Sequence, residues 1–203
     1  MIAREEVTGL ILAGGRGSRM GGVDKGLQPF QGMPMAQHTL QRLAPQTGAL
    51  LINANRNADR YAAFGPPVVA DAIPDFAGPL AGMLAGLAQC QTPWLVTAPC
   101  DTPFLPTDLV ARLARAIETE GAELAIPVTV DADGRRRLQP VFCLMPVTAA
   151  ASLRTYIEAG HRKIESWVTG HRLAQVIFDD ALAFLNINTL DELQRHEGGG
   201  RSG

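Results

Sequence analysis

Four short stretches hold the residue types that could handle a charged substrate. The first, Gly14-Gly15-Arg16-Gly17-Ser18-Arg19-Met20-Gly21-Gly22, carries five glycines and two arginines, with Asp24-Lys25 close behind. Glycines leave backbone N–H groups unhindered and can aim successive amides at phosphate oxygens, while Arg19 and Lys25 add positive charge. The stretch misses the dinucleotide-binding fingerprint, because Met20 stands where the third glycine belongs. It also misses the P-loop pattern, since Gly26 follows Lys25 where a magnesium-binding Ser or Thr would stand. The other three stretches are Asn53 with Asn55, Asp71, and Asp101 within Pro99-Cys100-Asp101-Thr102-Pro103. Magnesium takes one or two carboxylates beside substrate phosphates, so Asp101 is its natural ligand; the same residue can instead close an Asx turn. Asp71 can offer an acceptor to a ligand or cap the turn that follows it.

These stretches need a frame that gathers them. Val7 to Ala13 is the apolar run of a strand covered on both faces. A helix from Ala36 to Leu43, a strand from Ala49 to Ala54 and a short strand from Pro67 to Ala70, ending in Asp71, come next. Gly78 to Ala88 reads as a small-residue helix packed close to the sheet, and Trp94 to Ala98 as a buried strand leading to Asp101. Thr107 is placed to cap a helix carrying Leu109, Val110 and Leu113. Strands alternate with helices, which predicts a doubly wound α/β fold with a mostly parallel sheet. Past Ala122 the rhythm changes. Ala125–Val130 and Leu138–Met145 are expected to pair across Asp133-Gly134 as a small antiparallel extension, followed by helices at Thr148–Glu158 and Ile164–Val168. Strands at Arg172–Phe178 and Ala183–Leu185 and a last helix capped by Thr189 complete the expectation. Residues 1–197 would form one domain, with 198–203 (GGGRSG) a flexible tail. In such a sheet ligands bind beyond the carboxyl ends of the strands, which puts all four stretches on one edge.

Composition limits the partners. With 203 residues, 46% apolar and 19% charged, the chain is neither a disordered tail nor a coiled coil. A net charge of −2 excludes a basic nucleic-acid module and makes any anion site local. The N-terminus reads as neither a signal peptide nor a spanning helix. Cys90, Cys100 and Cys143 lack metal-ligand spacing and read as reduced thiols, so a soluble cytoplasmic protein without membrane contact is expected. Only Lys25 and Lys163 among 18 basic residues are lysine, and Lys25 alone lies in a candidate site. The Arg135-Arg136-Arg137 run reads as a solvated turn.

The order of these motifs resembles one family. Leu12-Ala13-Gly14-Gly15, Arg19-Met20-Gly21, Asp24-Lys25, Asn53-Ala54-Asn55-Arg56, Gly78-Pro79-Leu80-Ala81-Gly82-Met83, Pro99-Cys100-Asp101-Thr102-Pro103 and Asn186-Ile187-Asn188-Thr189 span nearly the whole chain. In this it is similar to the molybdenum cofactor guanylyltransferases, within the nucleotidyltransferases. The resemblance implies transfer of GMP from GTP to molybdenum-loaded molybdopterin, with pyrophosphate released. It implies GTP contacts from Leu12, Ala13, Gly14, Lys25, Asn53, Asp71 and Asp101, Mg2+ on Asp101, and catalytic roles for Arg19, Lys25 and Asp101. It places Gly78–Met83 and the Asn186/Asn188 pair nearer the pterin, and leaves room for proteins that deliver or accept the cofactor. A pterin phosphate is already an anionic nucleophile, so no activated Ser, Cys or His is required; positioning and electrostatics carry such a reaction. Guanine offers N–H donors on its pairing edge, which suits the Asp71 carboxylate. Two rivals remain: a cytidylyl enzyme for the same pterin, which more often reads Leu-Ala-Ala-Gly at the loop's start, and a pterin carrier without chemistry, which would need no metal ligand.

Overall fold

The apolar run Val7–Leu12 forms β1, buried along almost all its length as its composition predicts. The computed structural model describes residues 1–13, 24–71, 73, 78–131 and 133–185. A small hairpin, β2 (Pro29–Phe30) and β3 (Met33–Pro34), leads into helix α1 (Met35–Leu43). Next come β4 (Ala49–Asn53), the short helix α2 (Ala58–Ala62), β5 (Val68–Val69), α3 (Pro79–Gln89), β6 (Trp94–Pro99) and α4 (Leu109–Glu120). The remainder comprises β7 (Leu124–Val130), β8 (Arg136–Leu138), β9 (Leu144–Pro146), α5 (Ala149–Glu158), α6 (Ile164–Val168) and β10 (Leu173–Phe178).

Among the described residues, eight strands join one sheet in the order β10-β7-β9-β6-β1-β4-β5, with β8 pairing β7 outside that path. The β1–β4, β1–β6, β4–β5 and β7–β10 pairs are parallel, as a doubly wound α/β fold requires. The chain winds outward from β1 to β4 and β5, then returns to place β6 on the other side of β1. That reversal is a topological switch point, and it opens a crevice beyond the carboxyl ends of β1 and β6. Two apolar layers cover the faces. Leu43, Leu109, Leu113 and Ile117 of α1 and α4 pack with Ile11 and Ile52 on one side. Leu80, Met83, Leu84, Leu153, Ile157 and Trp167 of α3, α5 and α6 pack with Leu10 on the other. Each such fully buried side chain stabilises by on the order of 2 kcal/mol, so the frame does not depend on the polar residues at its edge.

Several local expectations are corrected. The helix expected to start at Thr107 is instead flanked by Asp108, and neither caps it; the buried Gln46 accepts a hydrogen bond from the Val110 N–H at 3.0 Å. The 138–145 strand is broken, because Pro140 cannot donate to a ladder. Its first part joins the hairpin across Gly134 as β8, while Leu144–Pro146 inserts as β9 between β6 and β7, antiparallel to both. The antiparallel part is thus threaded into the sheet. Ala183–Leu185 is no strand: Ala181–Phe184 makes one tight turn, with the Asp180 carboxylate accepting from the Leu182 N–H at 3.0 Å. Of the arginine run, Arg136 and Arg137 belong to β8, and Arg135 and Arg137 pair with Asp133 and Asp131. Thr189, its helix and the tail lie outside the described residues. No helix among the described residues is long and apolar enough to cross a membrane.

Candidate active site

Val69, Asn53, Leu12 and Pro99 stand abreast at the carboxyl edge of four neighbouring strands. The ladder continues one residue further. Ala54 N–H donates to the Val69 carbonyl at 3.0 Å, Ala13 N–H to the Asn53 carbonyl at 2.8 Å, and Cys100 N–H to the Leu12 carbonyl at 3.0 Å. Backbone pairing therefore holds Leu12, Ala13, Asn53 and the approaches to Asp71 and Asp101 in fixed relation. Polar side chains beyond this row fall into two groups.

The first centres on Asp71. Its Oδ1 accepts from Asn53 Nδ2 at 2.9 Å, its Oδ2 from Asn55 Nδ2 at 2.8 Å, and its own N–H donates to Asn55 Oδ1 at 2.8 Å. Neutral amides thus aim the carboxylate while leaving each oxygen a further lone pair for a ligand's donors. Asn53 is buried, and α3 crosses directly over it. A Cβ on Gly82 would lie 2.2 Å from Asn53 Oδ1 and 2.9 Å from Leu12 Cδ2, so only glycine lets the helix sit here. Gly82, grouped by sequence with residues nearer the pterin, is packed on Asn53 and Leu12.

The second group surrounds Lys25, whose Nζ lies 3.5 Å from Asp101 Oδ2. Asp101 is 8% exposed; burial pushes its carboxyl up, and the Lys25 ammonium pulls it back toward ionisation. The preceding Cys100 is also buried, and burial, with the charges of Asp101 and Asp24, pushes its thiol well up. It stays an S–H group and no nucleophile at neutral pH. The described histidines are held elsewhere: His38 Nε2 by the Phe30 carbonyl at 2.7 Å, His171 Nδ1 by the Trp167 carbonyl at 2.9 Å, and His161 stacked on Tyr156.

Sequence reasoning put Asp24 in a motif but gave it no task, and passed over Asn57 and Tyr61. Asp24 is 7% exposed. Its Oδ1 accepts from the Tyr61 hydroxyl at 2.6 Å and its Oδ2 from Asn57 Nδ2 at 2.8 Å, with Arg56 Nε 3.8 Å from Oδ2. The available signal was a lone acid directly before the site's lysine. Of the predicted site residues, Leu12, Ala13, Lys25, Asn53, Asp71 and Asp101 stand along this edge; Gly14 and Arg19 lie outside the described residues, as do Asn186 and Asn188. Lys163 is exposed just before α6.

The comparisons with known proteins agree with this architecture. Residues 9–176 match the model of the MobA-like NTP transferase domain. A molybdenum cofactor guanylyltransferase from Cupriavidus pinatubonensis is 74% identical over 199 residues, 98% of this chain and 100% of that protein. One from Cupriavidus metallidurans is 72% identical over 203 residues, the whole of both chains. Among solved structures, molybdopterin-guanine dinucleotide biosynthesis protein A from Archaeoglobus fulgidus shares the fold. It superposes with a TM-score of 0.76 at 24% identity, covering 94% of this chain and 97% of that one. By its matched domain and its full-length relatives, the chain belongs to the molybdenum cofactor guanylyltransferases, nucleotidyltransferases built on the MobA-like NTP transferase domain.

Proposed function

We propose that the protein transfers GMP from GTP to the terminal phosphate of molybdenum-loaded molybdopterin. A pterin phosphate oxygen bonds to the α-phosphorus of GTP, the bond from that phosphorus to the bridging oxygen breaks, and pyrophosphate leaves with its electron pair. The observation that carries this reading is the division of one strand edge: an amide-held carboxylate at Asp71, and an ion pair of the half-buried Lys25 ammonium with the buried Asp101 carboxylate. Asp71 would accept from the N–H donors on the pairing edge of guanine, where cytosine offers mainly acceptors; leaving such groups unpaired is costly, so the wrong base is rejected. Leu12, Ala13, Gly14 and Asn53 would line the nucleotide, and Arg19 with Lys25 would hold the triphosphate and the departing pyrophosphate.

The residues present suit Mg2+. Asp101 is a buried carboxylate 3.5 Å from the Lys25 ammonium, and no group of three ligating His, Cys, Asp or Glu side chains exists among the described residues. That donor set fits an ion that draws most of its oxygens from water and phosphate. Asp101 would hold it, and bound magnesium supplies positive charge to the phosphate oxygens. Three free cysteines support a cytoplasmic setting, where proteins that deliver the molybdopterin substrate or accept the product cofactor would meet the enzyme. The test is to incubate the protein with GTP, Mg2+ and molybdenum-loaded molybdopterin and assay both products. Equimolar pyrophosphate and guanine dinucleotide are expected; GTP binding without either product would leave the carrier reading instead.

A further inference from the structure

Lys25 reaches Asp101 from a turn that is gripped on both sides. On one side, both oxygens of the buried Asp24 carboxylate are fixed by Tyr61 and Asn57, and the Asp24 carbonyl accepts from the Leu27 N–H at 3.2 Å. On the other, Gly26 presses so close that a Cβ there would lie 2.5 Å from the Tyr61 hydroxyl and 2.9 Å from Cys100 Sγ. Tyr61 touches both flanks. It is fully buried, and it comes from α2, whose start is set by Asn57 in a left-handed conformation with φ of 53°. The same connection after β4 sends Asn55 to Asp71, so one stretch of five residues, Asn53 to Asn57, reaches both groups of the site.

We propose that Tyr61 is a positioning residue. With Asn57, it fixes Asp24 and Gly26, and through them holds the Lys25 ammonium where the triphosphate is handled. This rests on the reading that Lys25 works on phosphate. A side chain with this task acts only through the lysine; one that merely supports the fold does not depend on it. A double-mutant cycle separates the two, because residues acting as one unit are not additive. Tyr61→Phe removes the hydroxyl and keeps the ring. Asn57→Gly removes the second donor where glycine takes the backbone conformation without strain, and serves if the tyrosine variant folds poorly.

The measurement is kcat and KM for GTP in single and double variants, beside thermal unfolding. Tyr61→Phe is expected to lower kcat about tenfold, the effect of one buried hydrogen bond to a charge, with a smaller change in KM. In a Lys25→Met background, itself expected to be slow, the same change should cost less than about twofold. Asn57→Gly should follow the same pattern at about threefold. Equal losses in both backgrounds, or wild-type kcat in Tyr61→Phe and Asn57→Gly, would overturn the proposal. Wild-type turnover in Lys25→Met would overturn the reading of Lys25 itself and the proposal with it, a result distinguishable from the additive one.

Discussion

The two groups of the strand edge both depend on carboxylates yet hold them in opposite ways. Around Asp71 the partners are neutral amides, and both ends of Asn55 are engaged in fixing its direction. Around Lys25 the carboxylates are buried and balanced by cations, Asp101 by the ammonium and Asp24 by the nearby Arg56. On the proposed function, the difference follows from what each would meet. A base edge is neutral and directional, so aim is what counts, and amide dipoles provide aim without neutralising the acceptor's charge. A triphosphate brings several negative charges. The groups that receive it must already be held in place and kept from pairing too tightly with one another, as the 3.5 Å Lys25–Asp101 separation allows.

Substitutions can break that division. The largest effect is expected for Asp101→Asn, which keeps the shape and removes the charge: turnover should fall by about a hundredfold or more with thermal unfolding little changed. A steady-state assay at saturating Mg2+ checks it, and near-normal magnesium-dependent turnover would remove Asp101 from the metal site. For Asp71→Asn the loss should appear in choice of base, with the GTP-over-CTP ratio of kcat/KM shrinking by tenfold or more, roughly the value of a hydrogen-bonded readout. Lys25→Arg comes next at about tenfold in kcat/KM for GTP, because a planar guanidinium bridges phosphate oxygens differently from a compact ammonium. Unchanged affinity and rate in that variant would show that charge alone suffices. The smallest effect concerns reactivity. Burial pushes the Cys100 and Cys143 thiols up, whereas Cys90 is half-buried, so brief alkylation at pH 8 should mark Cys90 first by mass spectrometry. Rapid labelling of Cys100 would mean that the Lys25–Asp101 side of the edge opens more than its burial indicates.

Much of this was legible in the amino-acid order where local pattern and structure coincide. β1, β4, β6 and α3 follow directly from apolar runs and small residues, and the polar residues ending those strands mark the edge. What was not legible depends on distant partners. β9 is three residues long and exists because β6 and β7 flank it. Tyr61 lies 37 positions from Asp24, on a five-residue helix that no periodicity announces, so the grip on Lys25 had no local signature. Pro140 was a readable stop within the expected 138–145 strand, and its missing donor explains the break.

The most direct test of this division is the ratio of kcat/KM for GTP over CTP, measured with molybdopterin and Mg2+ in the wild type, Asp71→Asn and Asp101→Asn. Asp71→Asn is expected to lose discrimination while keeping magnesium-dependent turnover, and Asp101→Asn to lose turnover while its residual activity still prefers GTP. An unchanged ratio in Asp71→Asn, or equal loss of rate and selectivity in both variants, would contradict it.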